Sequence, residues 1–198
     1  KDWMAQLVQK PEKGGADRPI WAIDRGVNIC RALSLPTAHL IGDRDSAAHD
    51  AWAWAEEHGA RVHAFPPAKD FTDTELALRI AAELMPRALV VLTGAFGGRF
   101  DHLMSAASVA AHAALPCILA DEREALFFLH GDESLTITCD SPPQAISLLP
   151  FTEECTGITT NGLRWELNHA QIHTHSSTTI SNVLAEGNTE HRFSVALG

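Results

Sequence analysis

The chain has 198 residues, 45% hydrophobic and 20% charged, enough apolar material for one large core or two small ones. Fifteen Lys plus Arg stand against 25 Asp plus Glu, a formal net charge of -10 that argues against nucleic acid and membrane surfaces as partners. The same charge repels a polyphosphate unless metal ions neutralise the acidic groups around it, so any gathering of carboxylates needs a reason.

Over the first 120 residues, short apolar runs alternate with helical patterns. Strands are predicted at 19–23, 38–41, 61–65, 88–93 and 117–120, and helices at 27–33, 47–58, 73–85 and 101–114. The run ALVVLT at 88–93 is apolar throughout, as in a parallel strand buried on both faces. In the third helix Leu76, Ala77, Ile80, Ala81 and Leu84 fall on one stripe. Trp52 and Trp54 read as packing residues of the second helix. This alternation predicts an α/β fold, an open parallel sheet with helices on both faces.

After Asp121 the pattern changes to Thr-, Ile-, Val- and Phe-rich runs at 125–129, 135–139, 145–150, 163–167, 170–175 and 193–197. Turn signals such as His130-Gly131-Asp132 and Thr160-Asn161-Gly162 separate them, which predicts a C-terminal antiparallel β-sandwich domain. The expected domains are 1–121 and 122–198.

The four cysteines, Cys30, Cys117, Cys139 and Cys155, form no C-x-x-C pair and read as the reduced thiols of a cytoplasmic protein. His173 and His175 share a strand face, but nothing completes a tetrahedral zinc site. No apolar run approaches the roughly 20 residues that span a bilayer, and no signal peptide is visible.

Ligands of an open parallel sheet bind beyond the carboxyl ends of its strands, and the aspartates collect there. Asp24 follows the first strand, Asp43 and Asp45 the second, Asp70 and Asp73 the third, and Asp101 the fourth. Any one of them can be a helix N-cap, the role expected of Asp73 and Asp101. Four successive exits are explained more economically by a shared cation, with Mg²⁺ suited to short carboxylates and substrate phosphates. Gly94, Gly97 and Gly98 allow backbone N–H groups near those phosphates, Arg99 adds a fork of donors, and Lys69 is a second phosphate contact. Neither G-x-x-x-x-G-K-[ST] nor G-x-G-x-x-G is present.

In order and spacing, Asp24-Arg25-Gly26, GDRDS at 42–46, KDFTDTELAL at 69–78, GGRFDH at 97–102, GLRW at 162–165 and TTISN at 178–182 resemble the thiamine pyrophosphokinase family over nearly the whole chain. The resemblance implies a homodimer that transfers pyrophosphate from ATP to thiamine. ATP and Mg²⁺ would sit on the first domain, and thiamine between it and the β domain of the other subunit. It implies Asp43, Asp45 and Asp73 as metal positions, and Asp24, Gly26, Lys69, Asp70, Gly97, Gly98 and Arg99 as ATP or phosphate positions. Asp73, Arg99 and Asp101 become catalytic, Asp101 at the junction with thiamine as either positioner or base. Ser181 and Asn182 become thiamine contacts, with Trp165 either packing near the ring or buried in the core. Arg25, Arg44 and Ala106 depart from the family pattern. Another acceptor such as a hydroxymethyl pterin, or a non-catalytic nucleotide- or thiamine-binding module, are the alternatives.

Overall fold

The computed structural model describes residues 18–44, 47–66 and 68–198. The chain divides into two compact units, Lys1–Phe128 and Leu129–Gly198.

In the first unit β1 (Ile20–Ile23), α1 (Gly26–Ala32), β2 (Thr37–Gly42), α2 (His49–Glu57) and β3 (Arg61–Ala64) alternate, followed by α3 (Asp73–Leu84), β4 (Val90–Leu92), α4 (Phe100–Ala111), β5 (Cys117–Ala120) and β6 (Ala125–Phe127). The strands fall into two hydrogen-bonded sets, β1-β2-β3 and β4-β5-β6. All their pairings are parallel except β5 with β6. β6 pairs with β5 and so belongs with the first compact unit, which runs to Phe128. The tight Asp121 turn explains why: its carboxylate accepts the N–H groups of Arg123 and Glu124 and reverses the chain onto β5.

Strand alternation sends Ala22 and Leu40 to one face, where they pack with Val27 and Cys30 of α1 and Ala51, Trp52 and Ala55 of α2. α3 also lies against β1 and β2, but its Leu78 joins a separate cluster with Ala107, Ala110, Cys117 and Leu119. Leu40, Ile41 and Val27 are fully buried, so the carboxyl ends of β1 and β2 rest on a packed base.

The second unit is built on an antiparallel sheet in the order β7-β10-β8-β9, from β7 (Ser134–Thr138), β8 (Glu154–Asn161), β9 (Ala170–His173) and β10 (Arg192–Ala196). β8 is absent from the sequence reading because Gly157 interrupts its pattern. That glycine has φ +71, and a Cβ on it would meet Gly198 O at 1.7 Å, so it marks an irregular pairing and not a turn. Conversely, 145–150 and 163–167 are not strands. They hold only the isolated bridges Ile146↔Asn182 and Leu163↔Leu184, yet Ile146 and Leu163 still pack with Ile158, Ile172, Phe193 and Val195. Hydrophobic patterning located this second layer, but its backbone is irregular.

Among the described residues no helix is long and apolar enough to cross a membrane. Cys30 and Cys117 are buried, Cys139 and Cys155 half-buried, and all four are free thiols.

Candidate functional site

Three strand exits meet at one acidic cluster. Asp24 follows β1 with φ +44, and its N–H donates to Ile41 O at 2.9 Å, tying the turn to the end of β2. Gly42 closes β2 with φ +146, and a Cβ there would sit 1.9 Å from Asp24 Oδ1. Only a residue without a side chain leaves room for that carboxylate. Asp43 comes next in the chain, and Asp73 opens α3.

Asp73 does not cap its helix. Thr72 is the N-cap, its Oγ1 accepting the Glu75 N–H at 3.2 Å, which leaves the Asp73 carboxylate for other work. Asp101 is not a cap either: Arg99 precedes α4 at that position, without a side-chain capping bond.

Lys69 Nζ lies 3.1 Å from Asp73 Oδ2 and 3.6 Å from Asp43 Oδ2. These side chains are only 13%, 13% and 9% exposed for Lys69, Asp73 and Asp43, so water screens the cluster weakly. Asp24 Oδ1 and Asp73 Oδ1 are buried and accept no hydrogen bond. Burial, with repulsion from Asp73, a side-chain hydrogen bond to Asp73 and repulsion from Asp43, pushes the Asp24 carboxyl up to about 7, against the opposing pull of Lys69. The two observations agree chemically. Two ionised carboxylates have no donor between them, and a bond forms only when Asp24 carries a proton. Burial disfavours the Lys69 ammonium, yet its hydrogen bond to Asp73 and the charges of Asp73, Asp43 and Asp24 prevail and raise its pKa.

The structure therefore brings together Asp24, Asp43, Lys69 and Asp73. Asp70 is exposed and outside these ion pairs, and Asp45 lies outside the described residues. Among the described residues no three His, Cys, Asp or Glu side chains are arranged to hold a metal ion. Arg44 has φ +71 and turns away, its guanidinium 2.5 Å from Glu56 and 5.0 Å from the centre of the Trp52 ring. That departure from the family pattern is taken up by packing on α2.

After β4, Gly94, Gly97 and Gly98 have φ +75, +79 and +81, conformations that favour glycine, and nothing lies within 4 Å of where their Cβ atoms would be. An open, glycine-dependent backbone leads into Arg99, which donates to Asp101 through Nε at 3.1 Å and Nη2 at 2.5 Å. The hydrogen bond from Arg99 holds the Asp101 carboxyl below its ordinary value, helped by the Arg99 charge and the His102 N–H. Gly26 is the first residue of α1 and has open space around it. Ala106, another departure, packs against the Leu78–Leu119 cluster.

In the second unit Trp165 is 58% exposed, which excludes core burial. It borders a small pocket of about 80 Å³ lined also by Ile146, Leu148, Leu163, Thr179 and Asn182. Ser181 is exposed with φ +62, and its N–H donates to Ser147 Oγ at 3.0 Å. Asn182 Oδ1 accepts from Trp165 N and Val183 N, and its Nδ2 donates to Trp165 O. A wider open groove of about 410 Å³, lined by Asn161, Asn188, Glu190 and Arg192 among others, holds none of the expected site residues.

Residues 16–118 match the family described as "Thiamin pyrophosphokinase, catalytic domain", and residues 134–198 match "Thiamin pyrophosphokinase, vitamin B1 binding domain". The chain belongs to the thiamin pyrophosphokinase family. It is similar to a protein of Bacillus subtilis (strain 168) named thiamine pyrophosphokinase, with 27% identity over 172 residues, 85% of this chain and 79% of that one. A crystal structure titled thiamine pyrophosphokinase from Bacillus subtilis superposes with a TM-score of 0.77 at 24% identity, covering 92% of this chain and 84% of the other. One titled thiamin pyrophosphokinase from Geobacillus thermodenitrificans gives 0.73 at 25% identity, covering 93% and 84%. An α/β unit followed by an antiparallel β unit is thus the fold of this family.

Two site features of this family member escaped the sequence reading. Gly42 makes room for Asp24, a role hidden because the two are neighbours in space and not in sequence. Thr72 does the capping, and its signal was present in Thr72-x-x-Glu75, a capping-box pattern.

Proposed function

We propose that the chain is a thiamine pyrophosphokinase that transfers the terminal diphosphate of ATP to the hydroxyl of thiamine, releasing AMP. The observation that carries this reading is the pair of buried, partnerless carboxylate oxygens on Asp24 and Asp73, beside Asp43 and Lys69. Such oxygens call for a proton or a cation, and a divalent ion that takes most of its ligands from water and phosphate can be held by fewer than three carboxylates from the protein. Asp43 and Asp73, with Asp45, would hold Mg²⁺, and the remaining positions would go to water and phosphate. When bound, the ion supplies charge neutralisation for the polyphosphate.

The other residues position and orient. Lys69, ion-paired to Asp43 and Asp73, is placed to offer its ammonium to a phosphate of ATP. The Gly97-Gly98 backbone, Gly26 and Arg99 bind phosphate oxygens, with Asp24 and Asp70 on the ATP side. Asp101 accepts a hydrogen bond from the attacking hydroxyl and so either orients it or takes its proton. In-line attack on the β-phosphorus asks the protein mainly for placement and charge compensation. Trp165 and Ser181 would contact the acceptor, and Asn182, bonded to the Trp165 backbone, belongs to the same site, completed in a homodimer by the first unit of a second copy. Four free thiols suit a reducing compartment, and we place the enzyme in the cytoplasm.

The test is to incubate the protein with Mg·ATP and an acceptor and follow AMP. AMP formed with thiamine supports the proposal. AMP formed with a hydroxymethyl pterin alone, or with neither, overturns it.

A further inference from the structure

The segments that wall the Trp165 pocket have almost no regular secondary structure, so something else must fix them. Residues 162–164 run antiparallel to 183–185 through a short ladder: the Ala185 N–H donates to Gly162 O at 3.0 Å and the Arg164 N–H to Val183 O at 2.8 Å, around the Leu163↔Leu184 bridge. Two residues further along, Trp165 falls opposite Asn182, and here the backbone ladder stops. Ser181, at φ +62, turns the chain away.

The Asn182 side chain takes over from the backbone. Its Oδ1 accepts the Trp165 N–H at 3.2 Å and the Val183 N–H at 2.9 Å, and its Nδ2 donates to Trp165 O at 2.7 Å. A carboxamide offers an acceptor and a donor side by side, as the backbone of a paired strand does. The Asn182 backbone is meanwhile bonded both ways to Ile146, N to O at 2.9 Å and O from N at 2.8 Å. One residue thus joins the 146, 165 and 182 segments. With three of its hydrogen-bonding positions spent on backbone, its amide has little left for a ligand.

We propose that Asn182 is a positioning residue that fixes the backbone of Trp165, and through it the exposed indole, and is not itself a contact to the acceptor. This rests on the reading that the acceptor lies against Trp165. An indole 58% exposed, with the Arg164 guanidinium 5.2 Å from its ring centre, is packed over only part of its surface, so its place depends largely on the backbone that carries it.

Two measurements test the proposal. In AMP-release kinetics, Asn182→Ala raises the thiamine KM about tenfold, the scale of one net hydrogen bond, while the KM for Mg·ATP stays unchanged. Asn182→Asp, which keeps the acceptor and loses the donor to Trp165 O, falls between. In a Trp165→Ala background, Asn182→Ala adds nothing further. Amide hydrogen exchange on the ligand-free protein gives the second measurement: Asn182→Ala speeds exchange at Trp165 and Val183 but not at Arg164, whose partner is backbone. Additive losses in the double variant would make Asn182 a direct contact and overturn the proposal, as would unchanged exchange at Trp165. A Trp165→Ala protein with unaltered thiamine KM sinks the pocket reading instead, and the exchange result still reports on the backbone lock by itself.

Discussion

Asp24→Asn is expected to stabilise the metal-free protein while crippling it as an enzyme. The wild-type carboxyl is pushed from 3.8 to about 7 by burial and by Asp73 and Asp43. A carboxylate with a raised folded-state pKa favours folding relatively most below its unfolded value. That advantage is lost as pH rises from about 4 through about 7. Each unit corresponds to about 1.4 kcal/mol, so the full shift bounds the penalty at about 4 kcal/mol, and solvent at this half-buried position cuts it to about 1–2 kcal/mol. Asparagine has the same shape, cannot ionise, and offers Asp73 a permanent donor. For a chain of this length about 1–2 kcal/mol is roughly 2–8 °C in Tm. Thermal melts in chelator should show the variant melting higher at pH 8 and the two proteins converging toward pH 4–5. Added Mg²⁺ should raise the wild-type Tm more than the variant's. A variant equal to or below wild type at pH 8 would refute the reasoning, because it would mean that no like-charge strain exists among these carboxylates.

Three other outcomes follow from the same geometry. Gly42→Ala forces a methyl group to within 1.9 Å of Asp24 Oδ1, so the carboxylate must move. AMP release should drop more than about tenfold and stability by about 1–3 kcal/mol, measured by kinetics and urea melts. Thr72→Ala removes the α3 cap and should cost about 1 kcal/mol in urea melts, with most of the activity kept, since Asp73 is not the cap. Arg99→Ala should let the Asp101 carboxyl rise toward its ordinary value, visible in an NMR titration of that side chain.

Much of the first unit was readable because its code is local. A stripe such as Leu76, Ala77, Ile80, Ala81 and Leu84, or the apolar run at 88–93, states its own period, and α3 and β4 lie within those bounds. The meeting of Asp24, Asp43 and Asp73 was legible for the same reason, since neighbouring parallel strands end at one edge, but Asp70 stands outside that cluster. What stayed hidden depends on tertiary contact. The pairing of β6 with β5 is not written in a three-residue strand. β8 was lost to Gly157, whose positive φ serves an irregular pairing but whose identity suggests a turn. The three hydrogen bonds from the Asn182 side chain to backbone also depend on tertiary contact and are not written in the TTISN motif. The fit of Asp24 against Gly42 is likewise invisible in any motif.

The most direct test of the cation-assisted transfer is AMP formation from ATP and thiamine, titrated with Mg²⁺, in wild type and in Asp73→Asn. The account predicts AMP release by the wild type that requires Mg²⁺, and none above background in a variant whose circular dichroism is unchanged. Near-normal, Mg²⁺-dependent turnover by Asp73→Asn would contradict it.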